Sequence, residues 1–450
     1  MSKKNISRRT FIFGSAIMAA GCATAGKRPY NAPRRVSAND KLNIAGCGAG
    51  GKGSSDIEGA SEGNNIVALC DVDWRTGAGS FKKFPNATKY KDFRVMLEKE
   101  YNNIDAVTVS TPDHMHAPIA MAAMQMGKHV YVQKPLTHDI YEARRLKEMA
   151  RKYGVASQMG NQGHSGDGVR RMTEWIRGGA IGAVREAHIW TDRPIWPQAI
   201  PRPAGKQQCP DTMDWDLWLG TAPKRPYNRC YAPFKWRGWW DFGCGALGDM
   251  ACHIMDPAYT ALKLEYPVSI EAVEQGNNEE TFPTWSIITY QFLARGDMPP
   301  VKLVWYDGGK QPTRPEGLAP DEKLGDGDNG TLFIGDKGMM ACGTYGGGPC
   351  LIPSSKMADF KKPEKTIPSS TGHYQEWIDA CKGIKPAPGN WCGNFDYAGP
   401  FTEMVLLGNL AVKAAGQKIE YDAVNMKVTN FPKANDWLQR EYRRGYRDLA

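Results

Sequence analysis

A lysine, an aspartate and a histidine in this sequence have the types and spacing needed for acid–base chemistry on an alcohol. Asp249 and His253 are four residues apart in a segment that predicts a helix beginning after Gly248, so their side chains share one helix face. Lys134 follows a short apolar run and precedes Pro135. A histidine can accept a hydroxyl proton near neutral pH, and an ammonium group can stabilise the developing alkoxide. These three residues are the predicted catalytic group.

A glycine fingerprint near residue 50 predicts a dinucleotide site. Gly46, Gly48 and Gly51 follow a short apolar run in G-x-G-x-x-G spacing, which lets a backbone turn approach a pyrophosphate at a helix N-terminus. A second apolar run ends in Asp71, twenty residues beyond Gly51. A carboxylate there accepts hydrogen bonds from the ribose hydroxyls and favours NAD over NADP. Arg75 lies nearby and keeps NADP open as an alternative.

Further candidate cofactor ligands follow other predicted strands of the same sheet. Because the carboxyl ends of parallel strands meet at one edge, which is where ligands bind in open α/β sheets, we expect these residues to lie together. His116 and Asn161 have an equally simple interpretation as hydrogen-bonding residues of a helix end and a loop. The predicted ligands at this edge are Thr111, Pro112, His116, Gln133, Lys134 and Asn161.

The order of these motifs resembles the Gfo/Idh/MocA family of NAD(P)-dependent sugar oxidoreductases, from about Lys41 to the C-terminus. The matching features are the glycine fingerprint, T-P-D-H-x-H, x-K-P-L and D-x-x-x-H. The resemblance implies that Lys134 lies beside the nicotinamide and the substrate hydroxyl, that His253 is the general acid/base, and that Asp249 orients the histidine or the hydroxyl. The sequence departs from the family at Gln133, where a glutamate is usual.

The chain is predicted to have an α/β fold with two domains. Short apolar runs alternating with amphipathic stretches over residues 41–160 indicate a Rossmann domain with a doubly wound parallel sheet. Longer polar alternation in residues 161–450 indicates a largely antiparallel sheet, with a hairpin turn at residues 335–338 and a late amphipathic helix over residues 403–416. The resemblance implies that this second domain is an open sheet with roles in substrate binding and homo-oligomer formation.

Residues 1–40 are predicted to be a signal peptide and a tether. Arg8 and Arg9 precede an apolar run that is too short to span a bilayer, and the stretch around them resembles a twin-arginine signal, which directs export of folded proteins. Export in a folded state would allow the cofactor to travel inside. The stretch ending in Cys22 resembles a lipobox, so a lipid anchor at this cysteine is an alternative to free release into the periplasm.

Composition excludes several functional classes. The formal charge of +9 falls to +5 without the four basic residues of the leader, and basic residues form no long block, so nucleic-acid binding is not predicted. None of the 11 cysteines has zinc-ligand spacing, and no metal site is predicted. Cys47 and Cys70 lie in apolar runs, where cysteine is usually a small core residue.

The leading functional hypothesis is an exported oxidoreductase that transfers hydride between a tightly bound NAD(P) and a hydroxyl of a sugar or glycoside. One alternative is a redox-neutral glycosidase that oxidises a glycoside, eliminates the aglycone and reduces the product again. The branch of the resembling family with that activity lacks the Lys-Pro lysine and the D-x-x-x-H pattern. The other alternative is a non-catalytic sugar- or dinucleotide-binding protein, which would not need Lys134, Asp249 and His253 together.

Overall fold

The computed structural model describes residues 32–384 and 391–449. The predicted signal peptide, the candidate lipid site at Cys22 and the first part of the tether lie outside these residues. Within the described ranges, the helices are too short or too polar to cross a membrane.

The first sheet is a parallel sheet of six strands in the order β3-β2-β1-β4-β5-β6. Its central strands are four- and five-residue apolar runs that are covered on both faces, which explains why every residue of β4 and β5 is buried. The strands are β1 (Asn43–Cys47), β2 (Asn65–Cys70), β3 (Thr88–Tyr90), β4 (Ala106–Val109), β5 (His129–Val132) and β6 (Ser157–Met159).

Helices cover both faces of this sheet. The longest of them starts at a capping box, in which the Asp139 carboxylate accepts a hydrogen bond from the Glu142 backbone while the Glu142 side chain accepts one from the Asp139 backbone. It ends at Gly154, which adopts the left-handed conformation. The helices are α1 (Lys52–Ser61), α2 (Ala78–Lys83), α3 (Phe93–Lys99), α4 (His116–Gln125) and α5 (Ile140–Tyr153).

The second sheet has nine strands in the order β13-β12-β11-β7-β10-β9-β8-β14-β15. All neighbours are antiparallel except β7 and β10, and the hairpin predicted at residues 335–338 joins β11 to β12. The predicted fold class is therefore confirmed. The strands are β7 (Val184–Trp190), β8 (Ser269–Gln275), β9 (Trp285–Phe292), β10 (Val301–Tyr306), β11 (Gly330–Gly335), β12 (Gly338–Cys342), β13 (Cys350–Ile352), β14 (Ile419–Asp422) and β15 (Lys427–Val428).

Two helices of this half differ from the sequence-based expectations. The helix that carries Asp249 and His253 begins at Gly245, four residues before the expected start at residue 249. The late helix spans Phe395–Lys413 and is buried almost all round, because it packs on α5 as well as on the second sheet. The helices are α6 (Asp167–Arg177), α7 (Trp215–Leu219), α8 (Gly245–Ile254), α9 (Asp256–Ala261), α10 (His373–Cys381) and α11 (Phe395–Lys413).

The two halves meet where β5 ends and α8 passes. Gly248 lies close to Pro135, since a β-carbon on this glycine would lie 3.5 Å from the proline ring. α8 therefore passes within van der Waals range of the loop after β5. This approach brings the aspartate and histidine of α8 to the carboxyl edge of the parallel sheet.

Candidate active site

A cavity of about 570 Å³ opens at the carboxyl edge of the first sheet. Its wall combines the glycine loop after β1, the ends of β2, β4 and β5, His253 of α8 and the segment before that helix. The predicted site residues that line it are Gly48, Gly51, Asp71, Thr111, Pro112, Gln133, Lys134 and His253.

Glycine is required at two points of the fingerprint for different reasons. Gly48 has a φ of +80°, and a β-carbon there would lie 2.4 Å from the carbonyl oxygen of Ser110. Gly46 lies behind the cavity, where a β-carbon would lie 2.7 Å from Ile57 of α1. The loop therefore presents bare backbone to the cavity while α1 packs tightly on β1, and this arrangement fits a pyrophosphate at the N-terminus of α1.

Asp71 is held at the cavity rim by backbone donors. Its carboxylate accepts hydrogen bonds from the backbone N–H of Ala49 at 2.8 Å and of Asp73 at 2.9 Å. Burial raises the pKa of Asp71, and these hydrogen bonds oppose the rise. The Arg75 guanidinium pairs with the carboxylate of Asp73 at 3.0 Å. Two carboxylates thus line the place expected for the ribose, which fits NAD better than a 2′-phosphate.

Lys134 and Asp249 form an ion pair between the two halves. The lysine Nζ donates to Oδ1 of Asp249 at 2.9 Å and to its backbone oxygen at 2.6 Å. The Arg237 Nε donates to the same Oδ1 at 3.3 Å. Although burial alone would raise the pKa of Asp249, the charges of Lys134 and Arg237 lower it to about 2. Asp249 therefore remains a carboxylate at any pH at which the protein would work.

His253 lies one helical turn beyond Asp249, with 6% of its surface exposed. Its ring lines the cavity, and its Nδ1 has no hydrogen-bond partner among the described residues. Burial and the charge of Lys134 lower the pKa of His253 well below the usual range. The ring is consequently neutral at pH 7 and can accept a proton. As the helical spacing predicted, Asp249 and His253 lie on the same face of α8, on the side of Lys134.

Besides Gly46, two predicted cofactor ligands do not line the cavity. His116 is buried, and its ring nitrogens face the carbonyl oxygens of Pro135 and Thr111, both at 2.8 Å, so it joins two loops of the sheet edge. Asn161 is fully buried, and its side-chain amide has no partner among the described residues. Their roles as ligands stay predictions.

Sequence reasoning missed two carboxylates of this region. Asp113, within the T-P-D-H-x-H turn, lines the cavity, and burial raises its pKa to about 7 against the opposing charges of Arg237 and Lys134. Asp56 on α1 is fully buried. The sequence signals for Asp113 were its place after a predicted strand and within the T-P-D-H-x-H motif. Asp56 had none, because its partners Ser110, Gln133 and Tyr374 are distant in sequence. No group of three or more potential metal ligands occurs in residues 32–384 and 391–449.

Two family models match this chain in the places that the geometry indicates. Residues 41–161 match the oxidoreductase family, NAD-binding Rossmann fold, of Gfo/Idh/MocA proteins. Residues 200–298 match the C-terminal alpha/beta domain of the same family. The chain belongs to the Gfo/Idh/MocA family. The family resemblance and the predicted NAD cofactor are thereby confirmed.

Individual relatives of this Gfo/Idh/MocA protein are distant. Levoglucosan dehydrogenase from Pseudarthrobacter phenanthrenivorans is 27% identical over 194 residues, which cover 43% of this chain and 41% of the relative. A glycosyl hydrolase family 109 protein from Shewanella sp. (strain W3-18-1) is 28% identical over 179 residues, covering 33% of this chain and 38% of the relative. The chain thus spans about two fifths of the length of these curated relatives.

The fold has a solved counterpart. The WlbA dehydrogenase from Bordetella pertussis, in complex with NADH and UDP-GlcNAcA, superimposes with a TM-score of 0.58 at 14% identity. The alignment covers 85% of this chain and 99% of that one, so both halves of the Gfo/Idh/MocA fold are shared.

The glutamine at the family's usual glutamate position has a structural explanation. Gln133 Nε2 donates to Oδ2 of Asp56 at 2.9 Å, inside the protein. The same carboxylate accepts from Ser110 Oγ at 2.7 Å, from Tyr374 at 2.8 Å and from Lys52 at 2.6 Å. The carboxylate next to the loop that carries Lys134 is therefore supplied by Asp56 of α1 and not by residue 133. Position 133 consequently needs a neutral hydrogen-bond donor.

We expect Gln133→Glu to destabilise the protein by about 3 kcal/mol at pH 8, because it buries two facing carboxylates. Repulsion raises the pKa of the new carboxyl in the folded state, so stability is lost as pH rises through that pKa and is regained as pH falls below it. Chemical denaturation at several pH values measures this. The matched control is the double variant Asp56→Asn/Gln133→Glu, which exchanges the two groups and again pairs one carboxylate with one amide. If this double variant did not regain stability, the explanation would be wrong.

Proposed function

We propose that the protein oxidises a secondary hydroxyl of a sugar or glycoside, using NAD held in the cavity between the two halves. The observation that carries this proposal is that Lys134 and His253 line the cavity formed by the glycine loop, while Asp249 pairs with Lys134 next to it. When bound, NAD supplies the hydride acceptor. The substrate C–H bond gives up its hydride, and the O–H bond gives up its proton to the protein.

Each of the three side chains has a defined task. His253 is neutral and takes the hydroxyl proton at a ring nitrogen. The Lys134 ammonium stabilises the oxygen as negative charge develops on it. Asp249, ionised at working pH, fixes the position of the lysine Nζ through the 2.9 Å contact. Because Arg237 supports the same carboxylate, the geometry of the ion pair does not depend on substrate.

We propose further that the protein is exported with NAD inside. The support is the twin-arginine-like leader, because NAD is made in the cytoplasm and a folded passenger can retain it. A retained cofactor must be reoxidised in place, so a second substrate has to accept the hydride. A redox couple between two sugars meets this requirement.

The second candidate is a redox-neutral glycosidase, favoured by the similarity to a glycosyl hydrolase family 109 protein. In this reaction the hydride returns to the sugar after the aglycone has left, so no second substrate is needed. The presence of Lys134, Asp249 and His253 favours the dehydrogenase, because the glycosidase branch of the family lacks the Lys-Pro lysine and the D-x-x-x-H pattern. The two candidates differ in their products.

The experiment starts with the full chain purified from its own compartment. Denaturation followed by mass spectrometry identifies the released cofactor, and we expect stoichiometric NAD(H). The native protein is then incubated with a panel of glycosides, with products identified by mass. A keto-sugar that has lost two hydrogens, together with reduced nicotinamide, supports the dehydrogenase. A free aglycone with unchanged nicotinamide supports the glycosidase, and a protein that neither holds nor takes up NAD contradicts both.

A further inference from the structure

Tyr345 has a backbone conformation that aromatic residues rarely adopt. It follows β12 in a short turn, with φ at 60° and ψ at 22°, inside the left-handed region that normally requires glycine. Three glycines follow it at positions 346–348, yet the residue at the strained position is a tyrosine. Strained residues of this kind persist where the surroundings fix them, and they concentrate at functional sites.

The surroundings do fix this turn. The Thr344 backbone N–H donates to Asp326 at 2.7 Å, and the Gly343 N–H donates to the Gly347 carbonyl oxygen at 2.8 Å. On the other side, a β-carbon on Gly168 would lie 2.5 Å from the Tyr345 carbonyl oxygen. These contacts fix the backbone of the turn, and with it the direction of the Cα–Cβ bond of Tyr345.

The side chain of Tyr345 reaches His253, the proposed proton acceptor. The rings of Tyr345 and His253 lie edge to face, with centroids 5.1 Å apart and an interplanar angle of 83°. The inner edge of the tyrosine ring lies on the backbone of Gly163, where a β-carbon would lie 2.4 Å from Cδ1. Gly163 follows Gln162, which lines the cavity. The ring therefore lies beside the cavity on the side of the second sheet.

Tyr345 keeps 38% of its surface exposed despite these contacts. The ring is thus held rigidly by its inner edge and by the histidine, while another part of it faces outward. A rigid aromatic surface next to the group that accepts a hydroxyl proton is suited to the apolar C–H face of a pyranose.

From these contacts we infer that Tyr345 binds the substrate ring and selects for a glycoside whose C–H face stacks on it. The inference rests on the proposed function and adds a substrate-contacting residue from the second sheet. The tyrosine ring, rather than its hydroxyl, carries the interaction. Stacking orients the sugar so that one hydroxyl faces His253.

The test compares Tyr345→Ala, Tyr345→Gly and Tyr345→Phe in the NAD-loaded full chain. The probes are methyl α- and β-glucopyranosides and galactopyranosides, with Kd from titration calorimetry and kcat and KM from nicotinamide reduction. We expect Ala and Gly to raise Kd and KM by roughly ten-fold or more, with a smaller change in kcat. Phe should stay close to wild type. If Tyr345 had a purely structural role, Gly would keep Kd and KM closer to wild type than Phe would, because glycine removes the ring but adopts the positive φ without strain.

Lys263→Gly is the matched control, since Lys263 is exposed and also has a positive φ, of 50°, but lies outside the site. Its Kd should not change. Wild-type affinity in Tyr345→Gly, or in Tyr345→Ala, would overturn the inference. Glycoside binding by the wild type without oxidation would refute the proposed function alone, and the Kd values of the variants would still decide the role of Tyr345. No binding of any probe by the wild type would overturn both.

Discussion

Lys134→Met is expected to lower kcat for glycoside oxidation by about 10²- to 10³-fold, the usual loss when one preorganised donor to a developing oxyanion is removed. Lys134 lines the cavity, and its Nζ is 2.9 Å from Oδ1 of Asp249, so the ammonium group is held in position before the reaction starts. Methionine keeps the length of the side chain without the charge. Asp249 does not become an unpaired buried charge, because Arg237 still donates to it at 3.3 Å.

Stopped-flow measurement of nicotinamide reduction in the pre-loaded variant separates the chemical step from cofactor binding. Lys152→Met, at an exposed position in the last turn of α5, is the control for loss of a positive charge and should match wild type. NAD content after purification should be the same in all three proteins. If Lys134→Met lost less than about ten-fold in kcat with NAD in place, the lysine would not be the oxyanion donor.

The sequence predicted the parts of the site that depend on strand ends and on helix periodicity. Lys134 and Asp71 are adjacent to apolar runs whose burial on both faces identifies them as central strands, and strand direction then brings their ends together. Asp249 and His253 needed only the helical spacing of four. These predictions use local patterns that determine positions within one element.

The remaining features depend on contacts between residues that are distant in sequence. The charge of Asp56 explains Gln133, yet the two residues are 77 positions apart. The helix α11 appeared amphipathic from its sequence and is buried because α5 covers its polar side, where Arg144 pairs with Glu403. Tyr345, in the turn after β12, contacts His253 although the two are 92 positions apart in the sequence. No local pattern contains these pairings, so only the folded chain shows them.

His253→Ala is expected to lower kcat/KM by about 10²- to 10⁴-fold, the usual contribution of a general base. Added imidazole should restore part of the activity, because it can enter the space that the side chain leaves in the cavity wall. His188→Ala, on β7 in the second sheet, is the control, and neither its activity nor its response to imidazole should differ from wild type. Full activity in His253→Ala would assign the proton to another group.

The pH dependence gives a second, independent test of this assignment. The neutral form of His253 is the active base, so kcat/KM should fall as pH decreases through its pKa, and that acid limb should lie well below pH 6.5 because burial and Lys134 lower the pKa. Asp249 raises the pKa of His253, so Asp249→Asn should move the limb to still lower pH, whereas Lys134→Met should move it to higher pH. Opposite shifts in the two variants require a titrating group that both charges influence, as His253 is. The same charges act on Asp113, but burial raises the pKa of that carboxyl to about 7, so a limb well below pH 6.5 distinguishes the histidine from it. Shifts in the same direction would exclude it as the base.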